Sequence, residues 1–137
     1  MAQDPLEGRV PLHPAHQADG GGVEAAVVLN IALTVLQRGI YGINYGCGNV
    51  LDVRYQGNCG SVGMWGQSVL NQAISRNSNF LADAVAFQVA GPNTEMLLLE
   101  SAVGNLVCGV SGASGGFGPY SSGGIKVDYV TPLETIF

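Results

Sequence analysis

Ala84-Val85-Ala86-Phe87-Gln88-Val89-Ala90-Gly91-Pro92-Asn93-Thr94-Glu95-Met96-Leu97-Leu98-Leu99-Glu100-Ser101 is the stretch on which the fold turns. Its apolar head reads as a buried strand over Asp83–Ala90, and its tail opens an apolar helix over Thr94–Val110. A Gly-Pro-Asn turn between the two puts Asn93 and Thr94 where their side chains can cap free N–H groups. Glu95 then complements the positive end of the helix dipole. In a βα unit such a turn lies beyond the carboxyl end of the strand, where α/β proteins place their chemistry.

Working outward, the same alternation continues in both directions. Val23–Leu36 predicts a helix with apolar residues on every face, Glu24 in its first turn, Arg38 at its end and Gly39 placed to stop it. A glycine-rich connection, Tyr41–Gly48, leads to a strand over Asn49–Tyr55, a loop over Gly57–Gly63 and a more amphipathic helix over Met64–Arg76. After the 94–110 helix, Gly112–Gly124 holds six glycines with serines and aromatics among them and reads as a flexible loop. Lys126–Tyr129 predicts a short strand, and Thr131-Pro132-Leu133-Glu134 the cap and first turn of another helix. Alternation at this spacing predicts an α/β fold of parallel βα units. The last helix has barely begun at Phe137, so the chain is expected to be a fragment of a longer α/β protein.

Composition narrows the function. The chain is 47% hydrophobic but only 11% charged, a low charge fraction for a domain of 137 residues with its large relative surface. Much of that surface is therefore expected to be covered, by other copies in a homo-oligomer or by the remainder of a larger protein. Phosphate-backbone binding relies on clustered Lys and Arg, so five basic residues without a cluster, and a net charge of −5, make nucleic acid a poor partner. Val23–Leu36, at 14 residues, falls short of the ~20 that span a bilayer. Cys47, Cys59 and Cys108 share no paired spacing, so a disulfide framework is not expected and a cytoplasmic location is.

Few motifs carry chemistry. Gly20–Gly22 lacks the Gly-Lys-Ser/Thr ending of a phosphate-binding loop and reads as a helix start. His13 and His16 have no partner at metal-ligand spacing, so no metal site is assigned. Arg54, Tyr55, Gln56 and Asn58 follow one strand, and Asn93, Thr94 and Glu95 follow the next. Of these, Tyr55, Gln56, Asn58, Asn93, Thr94 and Glu95 are the candidate substrate-binding residues. The plainer role of Asn93-Thr94-Glu95 is a helix cap. No residue is assigned a catalytic role.

Gly21-Gly22-Val23-Glu24, Val53-Arg54-Tyr55, Ala90-Gly91-Pro92, Thr94-Glu95-Met96 and Leu98-Leu99-Glu100 together resemble the monomethylamine methyltransferase family of methylamine-using methanogens. The resemblance runs without a gap from about Pro14 to Glu100 and extends less clearly over Gly123–Phe137. It implies a (β/α)₈ TIM barrel, of which this chain is a part: an irregular segment over 1–18, then a partial barrel over 19–137, truncated at its C-terminus. A whole barrel takes about 250 residues. It also implies transfer of a methyl group from a methylamine to the cobalt of a corrinoid carried by a cognate partner protein, with no cofactor bound directly here. The family's glutamate and glutamine fall at Pro11 and Val85, so no catalytic residue carries over. The fragment by itself is expected to be inactive. A catalytically silent α/β scaffold or assembly segment is the alternative expectation.

Overall fold

The computed structural model describes residues 22–42, 49–51 and 57–117, together with Pro132. The 1–18 segment, residues 52–56 of the first expected strand and the Lys126–Tyr129 strand lie outside the described residues, as do Cys47, Tyr55 and Gln56.

Three helices dominate. Helix α1 spans Gly22–Val35 and continues as a π-helical stretch, Leu36–Ile40; α2 spans Ser61–Asn77 and α3 spans Glu95–Val110. Strand β1, Asp83–Val85, precedes α3, and β2, Gly115–Phe117, follows it. The two strands pair in parallel, Asp83 against Gly115 and Val85 against Phe117, so β1, α3 and β2 form a βαβ unit. Ser114 N–H donates to Ala82 C=O at 2.7 Å just ahead of this ladder.

Helices α1 and α2 begin side by side and end side by side. A Cβ on Gly66, early in α2, would lie 2.8 Å from Val23 at the start of α1. At the other end, one on Gly39 would meet Phe80, just past α2, at 4.0 Å. Between them Val23, Val27, Val50, Leu70, Ile74 and Ala82 form the buried core, with Ile31, Val62, Val69 and Phe80 packed on its rim. A polar seam runs through the same layer: Gln67 accepts from Val50 N–H at 3.3 Å and donates to Asn71 at 3.2 Å. Helix α3 then packs across β1 with Leu97, Ser101, Gly104 and Cys108 inward.

Several boundaries differ from the sequence reading. Gly39 does not end the first helix. The chain widens into π turns instead, closed by Tyr41 N–H on Leu36 C=O at 3.1 Å, and Arg38 is buried. The helical run from Gly22 to Ile40 is thereby 19 residues, long and apolar enough to cross a membrane by length and composition, and 22% buried over its most apolar window. Within the expected 83–90 strand, strand pairing stops at Val85. Part of the expected 112–124 loop is strand β2, because a glycine backbone pairs as well as any other once β1 offers it a ladder. Val50 is buried, but its N–H goes to Gln67 rather than to a neighbouring strand.

The tightest contact between α3 and the sheet segment is at Gly104. A Cβ there would come within 2.8 Å of the Ala86 Cβ. Gly104→Val is expected to destabilise the fold by about 2 kcal/mol in urea denaturation, because neither helix nor strand can yield that space without repacking.

Candidate functional site

The candidate site lies where the chain leaves β1. Past Val85, among the described residues, several of the chain's backbone polar groups are met by side chains. Asn58 is 4% exposed, and its carboxamide donates from Nδ2 to Val85 C=O at 2.7 Å and accepts on Oδ1 from Phe87 N–H at 2.8 Å. Its own N–H donates to Phe87 C=O at 3.0 Å. Asn58 therefore does the work of a strand neighbour. This placement depends on glycines on either side, since a Cβ on Gly57 would lie 2.8 Å from Phe87 C=O, and one on Gly63 would lie 2.6 Å from Asn58 C=O.

Two residues further on, Glu100 takes over. Its Oε2 accepts from Val89 N–H at 2.7 Å and from Ala90 N–H at 3.1 Å. Between these anchors Gln88 is fully buried and donates from Nε2 to Ser101 Oγ at 3.0 Å. The 85–90 segment is thus fixed by Asn58 from one side and by α3 from the other.

The turn follows directly. Pro92 then Asn93, with Asn93 at φ 61°, is the residue order of a turn whose third position is left-handed, a conformation asparagine tolerates better than most. Thr94 is the helix cap: its hydroxyl accepts from Leu97 N–H at 3.2 Å and donates to Gly91 C=O at 2.8 Å. Of the two capping candidates read from sequence, Thr94 caps α3 and Asn93 shapes the turn before it. Glu95 is exposed in the first helical turn.

Asn93, Thr94 and Glu95 are consecutive at the turn before α3, whereas Asn58 is buried against Val85 and Phe87 rather than open to solvent. Tyr55 and Gln56 lie outside the described residues. Sequence reasoning missed the positioning roles of Asn58 and Glu100. A signal existed for the second: Glu100 is the one charged residue between Met96 and Val110, and an isolated charge in an apolar helix needs a polar partner.

Cys59 lies beside this framework, with weak Sγ contacts to Asn58 Oδ1 at 3.7 Å and Glu100 C=O at 3.8 Å. Burial pushes its thiol from 9.0 up to about 12, with the charges of Glu100 and Cys108 adding to the rise. Such a thiol is a packing group and not a nucleophile at neutral pH. Among the described residues no group of three or more His, Cys, Asp or Glu side chains could hold a metal ion.

A family model described as monomethylamine methyltransferase MtmB matches residues 6–137. A match over nearly the whole chain assigns it to the methyltransferases. Within them, the chain belongs to the monomethylamine methyltransferase family. Comparison with curated proteins and with solved structures returned no match.

Two outcomes are expected at this site. Thr94→Ala costs about 1 kcal/mol through loss of the cap, and Asn93→Ala a similar amount, about 1 kcal/mol, through the left-handed backbone. Asn93→Gly, which suits that backbone, is close to neutral; urea titration of the three variants separates cap from turn. Cys59 gives the second. Its folded thiol stays protonated between pH 9 and about 12 while the unfolded thiol ionises. Its contribution is therefore complete below pH 9 and is lost as pH rises through that window. Cys59→Ala flattens that part of the stability curve, measured as the difference from wild type.

Proposed function

We propose that this chain supplies one side of the mouth of a (β/α)₈ barrel in a methylamine methyltransferase. There a methyl group leaves the amine nitrogen for the cobalt of a corrinoid carried by a separate cytoplasmic protein. The match of residues 6–137 to the monomethylamine methyltransferase family carries the reading. The parallel β1–α3–β2 unit and the paired starts of α1 and α2 support the barrel, since successive βα units bring their helix starts to one face. The exposed Leu29, Leu33, Leu36 and Ile40 of α1, and Met96, Leu99, Leu106 and Val110 of α3, support further coverage by barrel units or by another copy.

In such a transfer the C–N bond of a methylammonium ion would break with its pair kept by nitrogen, which leaves as ammonia, and the partner's reduced corrinoid would supply the electron pair for the new bond to the methyl carbon. The chain's contribution is to hold the amine. Thr94 is engaged in its cap and fixes the turn, which leaves the exposed Glu95 carboxylate as the group suited to a cationic amine.

In the full-length protein assayed with its corrinoid partner, Glu95→Gln is expected to lower kcat/KM by about tenfold, the worth of one charge-assisted hydrogen bond. Thermal stability should be unchanged. The 137-residue chain alone is expected to give no transfer. Full activity in folded Glu95→Gln removes that residue from the site. A full-length protein inactive toward every methylamine would favour the scaffold reading.

A further inference from the structure

The approach to α3 is restrained at each residue from 88 to 94. Gln88 is tied to Ser101 Oγ at 3.0 Å, and the N–H groups of Val89 and Ala90 donate to Glu100 Oε2 at 2.7 and 3.1 Å. Gly91 C=O accepts from the Thr94 hydroxyl at 2.8 Å, the Pro92 ring fixes φ, and Asn93 stands at φ 61°. Thr94 caps the helix through Leu97 N–H. Entry and exit of the turn are thus both bonded to one helix. Glu100 closes that ring from a position five residues past Glu95.

Capping alone would start α3, and Thr94 supplies it. The Glu100 clamp therefore exceeds what helix initiation needs. Its placement is also demanding, because Glu100 is partly buried and a carboxylate drawn from water needs charge-assisted bonds of good geometry to offset its desolvation. What the two bonds secure is the course of the backbone into an exposed turn. Gly91, Asn93, Thr94 and Glu95 are all exposed, and such a turn left unclamped samples many conformations. A side chain that works by position loses effect when its backbone wanders, since a displacement of about 1 Å can cost a large factor in rate.

We propose that Glu100 is a positioning residue: by holding Val89 and Ala90 it fixes the turn that carries Glu95, and so sets where the Glu95 carboxylate meets the substrate. Glu100 acts through backbone and not on the substrate itself. This assignment rests on the substrate-holding role proposed above for Glu95.

The test uses full-length protein with its corrinoid partner, at a temperature where circular dichroism shows every variant folded. Glu100→Ala should lower kcat/KM for methyl transfer about fivefold, chiefly through KM, because a misplaced Glu95 holds the amine less well. Glu100→Gln, whose Oε1 accepts the same two N–H groups, should recover activity to within about twofold of wild type. In the Glu95→Gln background Glu100→Ala should cause no further loss, since the group it positions is already gone. Amide hydrogen exchange at residues 93–95 should quicken about tenfold in Glu100→Ala and not in Glu100→Gln. Unchanged exchange overturns the clamp whether or not any methylamine is a substrate. Wild-type kcat/KM in Glu100→Ala makes the clamp purely structural, and an equal fall in Glu100→Gln makes the charge itself act on substrate; either result overturns the positioning role. So does a double variant in which the two losses multiply. A silent Glu95→Gln removes the Glu95 reading and this assignment together, whereas an effective Glu95→Gln beside any of those results removes the positioning role alone.

Discussion

The paired hydrogen bonds from the Asn58 carboxamide to Val85 C=O and Phe87 N–H are the constraint on which the rest of the structure hangs. Every buried N–H and C=O of this segment needs a partner, because an unpaired one costs about as much as several good contacts gain. Here one planar side chain, with a donor and an acceptor at strand-like spacing, supplies two of them. Once Asn58 is fixed, Gly57 and Gly63 must be small, and the chain emerges toward Glu100 on a set course. Glu100 then takes the next two N–H groups, and α3 is held by the turn that it helps to hold.

Much of this was legible from sequence, and the reasons for the remainder are local. All three long helices are near their expected places because their apolar spacing and their length exceed what any loop would carry. The α3 start was legible because Thr94 and Glu95 stand where a cap and a first-turn acid belong. The side-chain anchoring of the 86–90 segment was not, since a backbone held by Asn58 and Glu100 has the same apolar sequence as one held only by a neighbouring strand. Strand β2 was hidden for the opposite reason: Gly115-Gly116 carries no strand signal of its own and is ordered by what β1 offers. The candidate site was half legible. Asn93-Thr94-Glu95 declared itself through turn chemistry, whereas the buried position of Asn58 depends on residues 27 and 29 positions away.

The scarcity of charge also has a structural counterpart. Leu29, Leu33, Leu36 and Ile40 recur at helical spacing on the outer side of α1, and Met96, Leu99, Leu106 and Val110 do so on α3. Both faces are largely apolar, with Gln37 and Asn105 among their few exposed polar residues, as helices are when their outer sides meet protein rather than water. Buried polar groups are arranged differently. Gln67, Asn71, Gln88 and Ser101 sit inside and bond to one another or to backbone, which ties Val50 to α2 and the 86–90 segment to α3 more narrowly than apolar contacts alone would.

The π stretch at Leu36–Ile40 sets the angular phase of the chain that follows it. An α-helix advances each residue by about 100° around its axis, so a widened turn that accommodates one extra residue offsets everything after it by about that angle. In this helix Arg38 lies on the buried side, in line with Val27 and Thr34, and Gly39 faces Phe80. An insertion or deletion of one residue inside 36–40 would therefore act as a rotation rather than a change of length. It would turn Tyr41 and Gly42 about the helix axis while leaving the preceding helix as it is.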